Sequence, residues 1–164
     1  MNNKTKTLVK MALFTAIVVV LQLISMQLRF SMFSITLTLV PIVVAAALYG
    51  YRAGLWLGFV FGVAVLLTGD AAAFYAVNPL ATIIVVLVKG TCCGLMAGLT
   101  YRLLCRWNQV VAVTVSAVIC PLTNTGVFLL GCKLFFMPTI TQWGQALGFE
   151  NVGSYMIFGL VGIN

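Results

Sequence analysis

Charge is what this chain has least of. Only 7% of its 164 residues are Asp, Glu, Lys or Arg, against 63% that are apolar. A soluble domain draws about a quarter of its residues from the charged types, so this chain cannot clothe a water-facing globule and its surface must face lipid. Histidine is absent, and the five cysteines (Cys92, Cys93, Cys105, Cys120 and Cys132) form no CxxC pair. Zinc and haem sites are therefore not expected, and the thiols read as small packing groups. No GxxxxGK[ST] phosphate loop occurs, so ATP is not bound in that way. No Ser/His/Asp set and no acidic metal motif points to hydrolysis or to lipid chemistry. The chain is expected to be no enzyme and to need no cofactor.

The apolar runs are long and continuous rather than alternating, which favours membrane-spanning helices over a barrel. A span needs about 20 mostly apolar residues. Charges and helix breakers divide the chain into an all-α integral membrane bundle of about six transmembrane helices, one transmembrane domain over residues 1–164. The first helix is expected over about Leu8–Leu28 and the second over about Ile35–Tyr49, containing Pro41. The third covers about Ala53–Leu67. After a connection from Thr68 to Pro79, the fourth runs to Leu104, with Pro79 in its first turn. The fifth covers about Val110–Phe135 and is interrupted at Pro121. A loop from Met137 to Glu150 carries Trp143 and Phe149 as interfacial anchors. The last run, from Asn151 to Asn164, rises only about 20 Å and is expected to be cut short.

The net charge of +7 does not imply a nucleic-acid partner, because the nine basic residues are scattered singly. Membrane topology accounts for them. With the N-terminus in the cytoplasm, Lys4, Lys6, Lys10, Arg52, Arg102 and Arg106 lie inside. Arg29 and Lys133 lie outside with both acids, Asp70 and Glu150, as the positive-inside rule requires. The run from Met11 to Leu28 is longer than a signal-peptide core and reads as an uncleaved helix.

Small residues recur at spacings of four: Gly50, Gly54, Gly58 and Gly62 in and before the third helix, and Gly90, Gly94 and Gly98 on the fourth. Each set lines one helix face and admits a close neighbour, inside the bundle or in a dimer. Ala12 and Ala16 form a similar pair on the first helix, able to receive an internal neighbour or a partner subunit.

Lys89 stands ten residues into the fourth helix, about 15 Å deep. Placing an ammonium there costs about 3 kcal/mol on insertion scales, so it snorkels or faces the bundle interior and a ligand. Asn124, three residues after Pro121, either bonds a neighbouring helix or meets that ligand. Asn78 either caps the fourth helix or joins Thr82, one turn on, at a ligand. Gln22 and Asp70 add polar groups toward the outer side. Together these residues suggest an outward-opening pocket lined by amides, hydroxyls and aromatics, suited to a small polar molecule.

Several stretches taken together resemble one family. They are Lys10-Met11-Ala12-Leu13-Phe14-Thr15-Ala16, Leu48-Tyr49-Gly50-Tyr51-Arg52-Ala53-Gly54, Asn78-Pro79-Leu80-Ala81-Thr82, Lys89-Gly90, and Thr123-Asn124-Thr125-Gly126-Val127-Phe128. The pattern, over almost the whole chain, resembles the S component of energy-coupling-factor (ECF) transporters, whose sixth helix runs further. The resemblance implies a subunit that captures a vitamin-like molecule from the outer face (riboflavin, pantothenate or a folate-like compound). It implies a coupling transmembrane subunit and two ABC ATPases as partners, with the AxxxA face at Ala12 and Ala16 meeting the coupling subunit. The other classes are an assembly protein packing through its glycine faces and a membrane-embedded lipid enzyme.

Overall fold

The computed structural model describes residues 3–27, 38–69 and 71–146. Seven helices lie among them: α1 (Asn3–Gln27), α2 (Leu39–Tyr49), α3 (Tyr51–Leu67), α4 (Ala72–Tyr75), α5 (Pro79–Leu104), α6 (Gln109–Phe135) and α7 (Met137–Ala146). The described structure is all-helical. Three stretches, Thr5–Ser25, Pro79–Leu104 and Gln109–Phe135, are long and apolar enough to cross a membrane, and α2 and α3 are shorter apolar helices. The expected sixth span falls on residues 151–164, outside the described residues, as do Arg29, Asp70, Phe149 and Glu150.

The breaks follow backbone chemistry. Gly50 separates α2 from α3 with φ +86°, a left-handed conformation open to glycine at no steric cost. Pro41 falls in the first turn of α2, where its missing N–H has no intrahelical acceptor to serve. α3 begins at Tyr51, slightly earlier than the sequence suggested, because nothing after Gly50 opposes helix. The connection after Thr68 contains the single turn α4.

Two expectations are corrected. α6 passes through Pro121 without a break, since apolar surroundings strongly favour keeping the remaining helical hydrogen bonds. The stretch from Met137, expected as a loop, is helical to Ala146. Phe136 ends α6 with φ −125°, Pro138 sits in the first turn of α7, and Phe136 and Ile140 are buried in one apolar cluster with Trp143 against it. Trp143 is thus half-buried against the bundle.

The centre of the bundle is the pair α3 and α5. A Cβ placed on Gly54 would strike the carbonyl of Gly94, and one on Gly58 the carbonyl of Gly90. A Cβ on Gly90 would come 2.5 Å from the Gly58 oxygen, and one on Gly98 2.5 Å from the Cα of Tyr51. The two glycine faces therefore press backbone on backbone inside the molecule, and Leu57, Phe61, Val65 and Val86 fill the adjoining core. Antiparallel α6 packs along α5, and α1 lies against α2 and α3. Trp56 donates from Nε1 to Thr15 Oγ1 at 3.3 Å, and Phe14 meets Tyr49 edge to face at 6.0 Å. Ala12 and Ala16 are exposed, off this face, beside exposed Leu8, Leu13 and Val20. No internal neighbour covers them among the described residues.

One end of the bundle gathers Lys10, Arg52 and Arg102. Lys10 Nζ lies 6.0 Å from the centre of the Tyr49 ring. Arg52 and Arg102 flank the ring of Tyr51 at 5.9 and 5.8 Å. The start of α1, the α2–α3 turn and the end of α5 are therefore together, as the charge pattern required.

Candidate substrate site between α5 and α6

The register of α5 and α6 decides which polar groups meet. Cys93 on α5 neighbours Cys120 on α6. One turn toward the start of α5, Lys89 extends its ammonium over Phe128, 4.6 Å from the ring centre. A turn further, the Val85 side chain fills the space beside Gly131, whose Cβ would come 2.5 Å from Val85 Cγ1. In this antiparallel ladder Lys89 and Asn124 share a level. Their relation follows from spacing: Lys89 is four residues from Cys93, and Asn124 is four from Cys120, so both stand one turn from the same contact.

Both are buried, each 5% exposed. Lys89 does not snorkel, and Asn124 does not face lipid. The Lys89 side chain leans toward the start of its helix, as helical side chains do, which carries Nζ onto the Phe128 face. An ammonium over an aromatic ring is worth about 2 kcal/mol when desolvated, and the thiols of Cys93 and Cys132 lie within electrostatic reach of it. The carbonyl oxygen Oδ1 of Asn124 is buried and accepts no hydrogen bond among the described residues. An orphaned buried acceptor costs about 1–3 kcal/mol, which makes it a group worth explaining.

The floor beside Lys89 is aromatic. Phe74 from α4 packs edge to face on Phe128 (5.4 Å), Phe136 (5.2 Å) and Trp143 (5.6 Å). Sequence reasoning did not single out this cluster, because its members come from three helices. The nearest signal was the i, i+4 step from Asn124 to Phe128, continuing from Ser116 and Cys120. All four are buried on one ridge of α6.

The remaining residues divide. Asn78 is exposed and caps α5, its Oδ1 accepting from the Ala81 N–H at 3.2 Å; of its two readings, capping is the one this geometry displays. Thr82 is buried and donates to the Asn78 carbonyl at 2.8 Å. It stands seven residues before Lys89, on the same face of α5. Gln22 is buried on α1 and accepts from Thr38 Oγ1 at 3.1 Å, tying α1 to the start of α2. Asp70 lies outside the described residues.

Two hollows lie elsewhere. One of about 400 Å³ runs between α1 and α3, lined by Val19, Leu23, Phe59, Val60 and Leu67 among others. Another of about 330 Å³ is bordered by Leu66, Ala71, Ala72, Tyr75 and Ala76. Neither includes Lys89 or Asn124, so neither is the amide-lined pocket expected from the sequence.

The family model described as ECF transporter, substrate-specific component, matches residues 6–163 of the chain. No curated protein and no solved structure gives a significant match.

Proposed function

The chain belongs to the substrate-specific components of ECF transporters, and from that membership we propose that it captures a vitamin-like micronutrient through Lys89 and Asn124 between α5 and α6. As a member it is a multi-pass membrane protein and the substrate-binding subunit of an importer, a transport protein rather than an enzyme. The candidate substrates are riboflavin, pantothenate and folate-like compounds. The observation that carries the site is the burial of a lysine and an amide at one level of the bundle. Buried polar groups within a membrane are costly and most often mark a substrate path. Thr82 extends the same face of α5 toward the end opposite the cation cluster. Gln22, Asp70 and Asn78 belong to the outer side of the proposed entry.

The N-terminus is cytoplasmic in this reading and the membrane is the cell membrane. The support is the gathering of Lys10, Arg52 and Arg102 at one end of the helices. A coupling transmembrane subunit and two ABC ATPases supply the energy, with ATP hydrolysis driving reorientation. Ala12 and Ala16 form the docking face for the coupling subunit, and their exposure on α1 supports this. The glycine faces, by contrast, are consumed between α3 and α5, which removes the main support for an assembly protein.

Two measurements test the proposal. Small molecules retained through purification are identified by mass spectrometry, and a vitamin panel is screened by thermal shift. One vitamin is expected to raise the melting temperature, and Asn124→Ala to weaken that shift. Separately, Ala16→Trp is expected to abolish co-purification with the coupling subunit while leaving the melting temperature within a few degrees. A panel without any shift, together with no associated ATPase, would sink the reading.

A further inference from the structure

The start of α3 and the end of α5 hold two arginines on one ring. A Cβ on Gly98 would come 2.5 Å from the Cα of Tyr51, so α3 begins seated backbone to backbone on α5. That contact brings Arg52 and Arg102, from different helices, to 5.9 and 5.8 Å from the centre of the Tyr51 ring. Lys10 lies over Tyr49, the residue before Gly50. All three cations are exposed, and like charges gathered around one turn repel. No carboxylate offsets them among the described residues. The chain has two acids, Asp70 and Glu150. Asp70 follows the far end of α3, and Glu150 follows α7, whose Trp143 packs on Phe74 of α4. Arg52 Nε donates to the Tyr51 hydroxyl at 3.4 Å. Both terminal NH2 groups of Arg52 and the tyrosine O–H proton are left as donors.

We propose that this end of the bundle binds the phosphodiester of an anionic phospholipid, held between Arg52 and Arg102 beside Tyr51, with Lys10 adding charge. The site is separate from substrate capture and does not depend on which molecule is carried. A guanidinium fork matches a pair of phosphate oxygens, and two forks from two helices can take one headgroup. Where membrane helices meet the headgroup layer, basic residues between them attract anionic lipids. Apolar surface for the acyl chains follows on the same helix faces. Leu55 and Trp56, three and four residues after Arg52 on α3, are exposed. Leu99, three residues before Arg102 on α5, is half-buried. A lipid therefore meets charge at its headgroup and hydrocarbon beneath it. An acidic protein segment would use only the first of these.

The test uses the full chain purified in detergent. Native mass spectrometry counts retained phospholipids, and the melting temperature follows their effect. Phosphatidylglycerol is compared with phosphatidylcholine of the same acyl chains and with its own deacylated headgroup, glycerophosphoglycerol. Phosphatidylglycerol is expected to be retained over phosphatidylcholine, and less so as salt rises. Arg52→Gln and Arg102→Gln should each weaken that retention about fivefold. Arg106→Gln, at an exposed position between α5 and α6, and Lys133→Gln should leave it unchanged. All four positions are exposed, and equal melting temperatures without added lipid verify that the variants fold. Equal retention of the two lipids overturns the proposal. So does an equal loss in Arg106→Gln, which would mark a diffuse surface potential rather than a site. Stabilisation by the headgroup alone that matches the whole lipid overturns the lipid as ligand. Arginine variants that keep phosphatidylglycerol but lose the co-purifying coupling subunit assign the surface to a protein partner, and the proposal falls.

Discussion

Replacing Gly90 by alanine tests whether the α3–α5 contact organises the bundle. The added Cβ would lie 2.5 Å from the Gly58 carbonyl oxygen, 3.1 Å from Gly62 N and 3.2 Å from Gly62 Cα. Ordinary contact begins near 3.4 Å, so the helices must part by about 0.9 Å there, the difference between 3.4 and 2.5. All three obstacles are backbone, and no rotamer change relieves them. A gap of 0.5–1 Å forfeits about a quarter to a half of each dispersion well, and the loss extends to Leu57, Phe61 and Val86 beside the seam. Overpacking of this kind costs about 1–3 kcal/mol. We expect roughly 2–3 kcal/mol, seen as a fall of about 5–10 °C in the melting temperature of the detergent-solubilised protein. Gly126→Ala is the control. Gly126 is an exposed position within α6 where a Cβ meets nothing within 4 Å. Alanine there should be neutral or stabilising by up to about 1 kcal/mol. Equal melting temperatures for Gly90→Ala and wild type, or equal losses for the two variants, would refute the argument.

Two further outcomes follow from the hydrogen bonds. Asn78→Ala removes the cap on α5 and is expected to cost about 1 kcal/mol, while Asn78→Asp retains most of the stability; thermal unfolding of both variants checks this, and an equal loss for Asp and Ala would count against a capping role. Thr38→Val leaves the buried Gln22 Oε1 without its Thr38 donor and should cost about 1–3 kcal/mol. The double variant Gln22→Leu/Thr38→Val is expected to be less damaged than the sum of the single changes. Strict additivity in chemical unfolding would show that the 3.1 Å bond carries no coupling.

The helix boundaries that were legible are those set by local chemistry. Pro79 after Asn78 opens α5, Gly50 parts α2 from α3, and Leu104 and Phe135 end α5 and α6 as expected. Pro121 and the Met137 stretch misled for one shared reason. A proline and a run of polar residues are local signals, and they yield where packing or an apolar medium outweighs them. Of the candidate site, the burial of Lys89 was legible because an ammonium at that depth has few places to go. The neighbourhood of Phe74, Phe128 and Trp143 was not legible, because nothing in a linear pattern relates α4, α6 and α7.

Composition alone required a membrane bundle, since two acidic and nine basic residues cannot solvate 164 residues in water. Four-residue spacing of glycines alone required close helix contacts. Only tertiary structure decided that these contacts lie within one molecule, between α3 and α5, and that Ala12 and Ala16 remain uncovered on α1. It also decided that Lys89 and Asn124 stand level. Periodicity fixes which residues share a face of one helix, whereas the vertical register between two helices is set by the side chains packed along their whole contact.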